Sequence, residues 1–307
     1  MSRVLITPRS VTRNGHPALA RLEAVGCELI FCTPGVQPDE AELLGLVPGC
    51  VGYLAGVEKI SARVLDAAKD LKVIARNGAG IDNIDLEAAR RTGVKIVPAA
   101  GANARGVAEL TIALMLALAR DVAFSDAQMK RTDWQRRRGI ELRGRTLGIV
   151  GCGHIGQKVA ALALALGMKV LAYDPYADGA FRPQGEFRYA DLGEVFSASD
   201  VVSFHCPAPP DGKLLVTRES LATMRKGVYL INTARAGLLD EQALLEGLND
   251  GHVAGLALDV FAVEPPGENA LVRHDRVVAT PHLGGYTTES IARAVEAAVQ
   301  AILDHLP

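Results

Sequence analysis

The stretch from Thr146 to Asp174 constrains the fold of this chain more than any other. A short apolar run, Thr146-Leu-Gly-Ile-Val, ends in Gly151-Cys-Gly153-His154-Ile155-Gly156. An alanine- and leucine-rich segment of helical length fills 157–167, and a second apolar run at 168–173 ends in Asp174, eighteen positions after Gly156. The order is strand, glycine turn, helix, strand, acid, which is the order of a parallel βαβ unit.

Each residue type in that stretch has a physical reason. Gly151 permits the tight turn, Gly153 lets backbone amides approach a pyrophosphate, and Gly156 lets the helix pack closely on the strand while its N-terminus faces the anion. Asp174 is placed to accept hydrogen bonds from an adenosine ribose and to repel a 2′-phosphate, which favours NAD over NADP. Glycine triplets also mark ordinary turns, so the inference rests on strand, helix and acid standing in register with them.

The rest of the chain agrees with an α/β protein. With 307 residues it is long enough for two domains, each with its own core. A hydrophobic content of 49% with 22% charged residues points to a globular chain, and a net charge of −2 gives no reason to expect nucleic acid. No apolar run reaches membrane-spanning length, because 110–118 is closed by Arg120 and Asp121. The N-terminus enters a strand directly, without a signal-peptide pattern. Five scattered cysteines (Cys27, Cys32, Cys50, Cys152, Cys206) include no C-x-x-C and no histidine-rich partner cluster, so they read as reduced thiols of a cytoplasmic protein, with no metal site. Cys206 is also weighed as a nucleophile, but no histidine is placed by sequence to activate it.

Strands at 4–7, 28–32, 52–56, 71–76 and 94–97 alternate with helices at 17–25, 39–46, 61–68 and 85–91, Ser61 serving as an N-cap candidate. The segment 98–103 reads as a hinge or crossover. One long helix is expected over 105–130, apolar at Val107, Leu110, Ile112, Leu114, Met115 and Leu118. After it, 131–138 carries the single tryptophan, Trp134, among basic residues, which suggests a contact surface between subunits. Beyond Asp174, strands at 200–205, 228–232, 254–259 and 277–280 and helices at 220–224, 240–248 and 290–306 complete the alternation. There is no internal repeat.

Open α/β sheets bind ligands beyond the carboxyl ends of their strands. At such ends lie the loop Asn77-Gly78-Ala79-Gly80, whose amides can face a carboxylate or simply make a turn, and the four residues Arg235, Asp259, Glu264 and His282. Hydride transfer to a 2-oxo acid needs a cation that holds the carboxylate and polarises the carbonyl, and Arg235 suits that task. It also needs an acid for the new alkoxide, and the imidazole of His282 suits that one. A carboxylate beside the imidazole, with Glu264 as candidate, favours its charged form and fixes its orientation. Each residue alone also has a bland reading as a cap, a solvated acid or a surface histidine. Their shared rim carries the inference.

These residues resemble a known family. Gly151 to Gly156 with Asp174, N-T-A-R-A-G at 232–237, A-L-D-V-F-A-V-E-P-P at 257–266 and P-H-L-G-G at 281–285 resemble the NAD-dependent D-2-hydroxyacid dehydrogenases, in particular the catalytic core of the D-3-phosphoglycerate dehydrogenases. R-N-G-A-G-I-D-N at 76–83 and G-A-N-A-R-G-V-A-E-L at 101–110 extend the likeness over nearly the whole chain. The resemblance implies a fold of two doubly wound parallel sheets: a flavodoxin-like substrate domain from 1–98 and 286–307, and a Rossmann domain from 99–285 with a dimer arm at about 120–145. It implies Arg235, Glu264 and His282 as the catalytic set. It implies NAD held by Gly151, Gly153, His154, Ile155, Gly156, Asp174, His205, Cys206, Pro207, Thr233, Ala234, Asp259, His282 and Gly284. Substrate would meet Arg76, Asn77, Gly78, Ala79, Gly80, Arg105, Arg235 and His282.

Three departures from the family pattern stand out. His154 occupies a position that often carries arginine, Ala236 replaces the glycine that usually follows the catalytic arginine, and the chain ends after its closing helix, so serine feedback through a regulatory domain is not expected. Arg76 and Arg105, with Arg137 from a neighbouring subunit, suggest a small-molecule 2-oxo or 2-hydroxy acid bearing a second anionic group: phosphate, phosphonate or sulfonate. Glyoxylate or hydroxypyruvate reduction is the alternative. From a different class, an NAD-sensing corepressor of the same fold shares the catalytic residues.

Overall fold

The structure is a computed structural model that describes residues 1–209 and 211–306. It divides into two compact units, Met1–Asn103 with Gly285–Pro307, and Ala104–Gly284.

The first unit is a five-stranded parallel sheet: β1 (Arg3–Ile6), β2 (Glu28–Phe31), β3 (Cys50–Ala55), β4 (Val73–Arg76) and β5 (Lys95–Pro98), in the order β2-β1-β3-β4-β5. This is the flavodoxin-like order. Because helices cover both faces, the strands are apolar on both sides, as in the fully buried β4. One face packs Leu5, Tyr53 and Ile74 against Leu43, Leu65 and Ala88. The other packs Val4, Leu54 and Val73 against Val295, Val299 and Ile302 of the closing helix Thr288–Leu303. Gly52 permits that approach, since a Cβ there would lie 2.9 Å from Cγ2 of Ile302.

The second unit holds seven parallel strands: β6 (Thr146–Val150), β7 (Lys169–Tyr173), β8 (Phe187–Tyr189), β9 (Val201–Phe204), β10 (Val228–Asn232), β11 (Val253–Leu258) and β12 (Val277–Ala279). Their order, β12-β11-β10-β9-β6-β7-β8, is the Rossmann order with one added edge strand. The switch point lies between β6 and β9, the place where open α/β sheets form their ligand crevice.

Several expectations are corrected. The helix over 105–130 is two helices, Ala104–Ala119 and Val122–Lys130. The chain turns at Asp121, which adopts the left-handed conformation (φ 50°), a region aspartate tolerates. The carbonyl of Ala119 accepts the Ile140 amide at 2.8 Å, so a returning segment takes up the broken helix end. The helix over 17–25 begins as a 3-10 turn at Pro17–Leu19 capped by His16. Four elements carry no sequence expectation: the helix Arg9–Asn14, β8, the 3-10 turn Ala236–Leu238, and the helix Leu192–Ala198. The last had a signal, since Asp191 caps the amide of Glu194 in the pattern D-x-x-E. The units divide after 103 where 98 was expected, because Ala99 donates to Arg76 and Gly78, and Arg293 of the closing helix holds the Ala102 carbonyl at 2.8 Å.

Candidate active site

The glycine turn after β6 fits a dinucleotide. Gly151 has φ 93°, and a Cβ on it would lie 2.7 Å from the His205 carbonyl. A Cβ on Gly156 would lie 2.1 Å from the Gly151 carbonyl oxygen, so the helix His154–Ala165 can approach only without one. Around the Cβ position of Gly153 there is open space. No side chain caps this helix, so its first amides, including those of His154 and Ile155, are available to a pyrophosphate.

Asp174 has a structural task beside the one expected from sequence. Its Oδ2 accepts the Cys152 amide at 2.7 Å and its Oδ1 the Tyr176 amide at 2.8 Å. The carboxylate therefore locks the glycine turn to the end of β7, and it keeps further lone pairs beyond these two bonds.

Beyond β9 stand His205, Cys206 and Pro207. His205 Nε2 lies 2.8 Å from the Ser203 hydroxyl, and burial pulls the imidazole down to about 3, so the ring is neutral. Burial pushes the Cys206 thiol up to about 11, which removes it as a nucleophile near neutral pH. Cys152 is raised to about 11 for the same reason.

The loop after β10 is stapled by Asn232, a buried residue that sequence reasoning passed over. Its Oδ1 accepts the Ala234 amide at 3.0 Å and its Nδ2 donates to the Arg235 carbonyl at 2.8 Å. Thr233 is held from the other side, its hydroxyl 3.1 Å from that of Thr111. Arg235 Nη1 donates to the Ala234 carbonyl at 2.7 Å. The polar residue closing a buried strand, Asn232, was the available signal.

Asp259, 1% exposed at the end of β11, organises the last loop. Its Oδ1 accepts from the Thr280 hydroxyl at 2.5 Å and the Leu283 amide at 2.7 Å, and its Oδ2 accepts the Gly284 amide at 2.8 Å. Between those anchors His282 is left-handed, with φ 55°. Its Nδ1 lies 2.8 Å from Glu264 Oε2 and 3.1 Å from Oε1. A carboxylate only accepts, so Nδ1 carries the proton and Nε2 is the nitrogen free for proton transfer. Glu264 is itself aimed by the Phe261 amide, 3.1 Å from Oε1.

In the other unit, Arg76 is buried and its Nη1 donates to the Asn77 carbonyl at 2.6 Å. Gly78 has φ 153°, and its amide donates to the Arg76 carbonyl at 2.8 Å. That amide is therefore engaged within the loop. Ala79 and Gly80 make no backbone hydrogen bond among the described residues.

The expected anion-binding cations have partners of their own. Arg105 pairs with Glu109 one helical turn on, both exposed. Arg137 bonds Asp275 at 3.1 Å, lies 3.8 Å from Asp121 and sits 3.4 Å over the Phe124 ring. No group of three metal-ligating side chains occurs among the described residues, and none of their helices is long and apolar enough to cross a membrane.

Residues 112–284 match the NAD-binding domain of the D-isomer specific 2-hydroxyacid dehydrogenases. The chain belongs to this family. It is an NAD-dependent oxidoreductase. Among relatives of this D-2-hydroxyacid dehydrogenase, a hydroxypyruvate reductase from Thermotoga maritima is 42% identical over 276 residues, covering 87% of this chain and 89% of the relative. A D-3-phosphoglycerate dehydrogenase from Methanocaldococcus jannaschii is 43% identical over 76% of this chain, but the match spans only 45% of that protein. Among solved structures, the TT0316 protein from Thermus thermophilus superposes with a TM-score of 0.86 at 39% identity, covering 98% of this chain and 97% of the other.

Proposed function

We propose that the enzyme reversibly reduces a 2-oxo acid with a second anionic group to the (D)-2-hydroxy acid. The observation that carries the chemistry is the His282–Glu264 pair, whose Nδ1 to Oε2 distance is 2.8 Å. Bound NADH supplies the hydride. His282 Nε2 gives the proton to the carbonyl oxygen as it becomes an alkoxide, and Glu264 stabilises the imidazolium that serves as proton donor. Arg235 holds and polarises the oxo acid through its guanidinium fork. In reverse, neutral His282 takes the hydroxyl proton. The amides of Ala79 and Gly80 bind an anionic group of the substrate. Arg105 provides for a second anion, because an exposed i,i+4 pair such as the one with Glu109 is worth only about 0.3–0.5 kcal/mol and readily exchanges partners.

A second reading, reduction of the uncharged-tail substrates hydroxypyruvate or glyoxylate, is favoured by the Thermotoga maritima relative, which is matched over 89% of its length. We also assign the protein to the cytoplasm, in keeping with five free thiols, and infer a homodimer joined through the arm. The helix Val122–Lys130 buries no residue of its own, and Trp134 is 75% exposed.

The test follows NADH absorbance with pyruvate, glyoxylate, hydroxypyruvate, phosphohydroxypyruvate, phosphonopyruvate and sulfopyruvate. Turnover concentrated on one dianionic acid, absent in His282→Ala and with a raised KM in Arg105→Ala, supports the first reading. Preference for hydroxypyruvate or glyoxylate, indifferent to Arg105→Ala, establishes the second. NADH binding without turnover of any acid points to a sensor.

A further inference from the structure

Glu58 is 1% exposed, and the chemistry above makes no use of it. It lies between β3 and the helix Ala62–Ala67. Its Oε1 accepts from the Thr7 hydroxyl just beyond β1, from the Tyr53 hydroxyl of β3 at 2.8 Å, and from the Gly56 amide at 2.9 Å. Burial, together with the charge of Glu58, holds the Tyr53 phenol well above its ordinary range, so it remains a donor. A carboxylate kept in such a place costs desolvation that an apolar side chain would avoid.

What the carboxylate organises is the turn 56–60. A Cβ on Gly56 would crowd the carboxylate, lying 2.7 Å from Glu58 Oε2 and 3.2 Å from the Pro8 Cα. The turn in turn holds the segment 77–83. Asn83 Nδ2 donates to the Glu58 carbonyl at 2.6 Å, Ile60 donates to the Asn83 carbonyl at 2.8 Å, and Asp85 donates to the Ile60 carbonyl at 2.9 Å. At the other end, the Asn77 amide donates to the Ala55 carbonyl at 2.8 Å.

We propose that Glu58 is a positioning residue: its buried carboxylate fixes the turn 56–60 and, through Asn83, the segment bearing the Ala79 and Gly80 amides. Its effect on catalysis rests on the reading of those amides as substrate donors. Its effect on the loop does not.

The experiment combines peptide-resolved amide hydrogen exchange on the apo protein with steady-state kinetics on the best 2-oxo acid. It compares Glu58→Ala, Glu58→Gln and Asn83→Ala with wild type. In Glu58→Ala, exchange across 77–83 should rise about tenfold while Leu86–Thr92 is unchanged, because local opening is independent of global unfolding. KM for the oxo acid should rise about tenfold, with kcat and KM for NADH within about twofold, the signature of a displaced binding group. Glu58→Gln keeps an acceptor for the Gly56 amide and should restore most of both. Asn83→Ala leaves Glu58 in place and should reproduce the KM rise, which keeps the proposal testable if Glu58→Ala does not fold.

Unchanged exchange in 77–83, or equal losses for acid and NADH, would each overturn the proposal, whereas faster exchange in 77–83 with an unmoved KM for the oxo acid in Asn83→Ala would overturn only the reading of the amides as substrate donors. Faster exchange confined to 77–83 in a protein that reduces none of the acids would uphold the brace and overturn the reading of the loop as a substrate site.

Discussion

The Oδ2 of buried Asp259 accepts the Gly284 amide at 2.8 Å, and this bond pins the far end of the loop that carries His282. Oδ1 pins the near end through Thr280 and also holds the Leu283 amide. Left-handed backbone at a bulky residue such as His282 costs energy and persists only where its surroundings fix it. One carboxylate thus sets the backbone conformation of His282 without touching its ring.

Asp259→Asn should therefore be more than a loss of charge. The amide offers one oxygen where two now receive two backbone amides and a hydroxyl, so a buried donor loses its partner. Thermal denaturation should show a loss of about 2 kcal/mol, and kcat should fall more than about tenfold as His282 is released.

Glu264→Gln keeps the shape of the acceptor beside His282 Nδ1 but removes its charge. The expected result is a kcat reduced about ten- to a hundredfold with KM for NADH unchanged, and His282→Ala should lose about 10²–10⁴-fold. Stopped-flow and steady-state NADH absorbance measure both. Equal kcat in Glu264→Gln and wild type would remove the carboxylate from the mechanism.

Gly153 and Gly156 separate cofactor binding from folding. A Cβ at 153 meets open space in the protein, so Gly153→Ala should unfold at the wild-type temperature yet bind NADH at least about tenfold more weakly, because the methyl occupies the backbone's approach to pyrophosphate. A Cβ at 156 meets backbone at 2.1 Å, so Gly156→Ala should lose stability as well as binding. Fluorescence titration beside a thermal melt distinguishes them.

His205 gives a pH dependence with a definite sign. The folded protein keeps its imidazole neutral down to about 3, whereas the unfolded chain takes up a proton below about 6.5. Stability present above that value is lost as pH falls from about 6.5 towards 3. His205→Gln should lose less stability than wild type between neutral and mildly acid pH, as read from urea midpoints of the apo protein.

Much of this was legible in local sequence. The glycine turn, Asp174, and the positions of Arg235, Glu264 and His282 beyond strand ends follow from spacing and period, because in a parallel sheet chemistry collects at carboxyl ends. Asp39, Ser61, Asp85 and Asp240 begin helices as their types require. The break at Asp121 was not legible. Arg120 and Asp121 close the apolar run, but charged residues also sit on the exposed face of a continuous helix, and this helix ends where Ile140, far along the chain, takes the carbonyl of Ala119.

The sequence by itself determined the parallel α/β class, the NAD-type phosphate turn and the placing of Arg235, Glu264 and His282 just beyond strand ends, since those depend on residue type and short-range order. The tertiary structure decided what each carboxylate does. Asp174 closes a turn, Asp259 shapes a loop, Glu264 meets an imidazole and Glu58 ties two strand ends together. In each case the partners are distant or backbone groups brought near by the fold, and a carboxylate's role is set by its donors, which residue type alone does not specify.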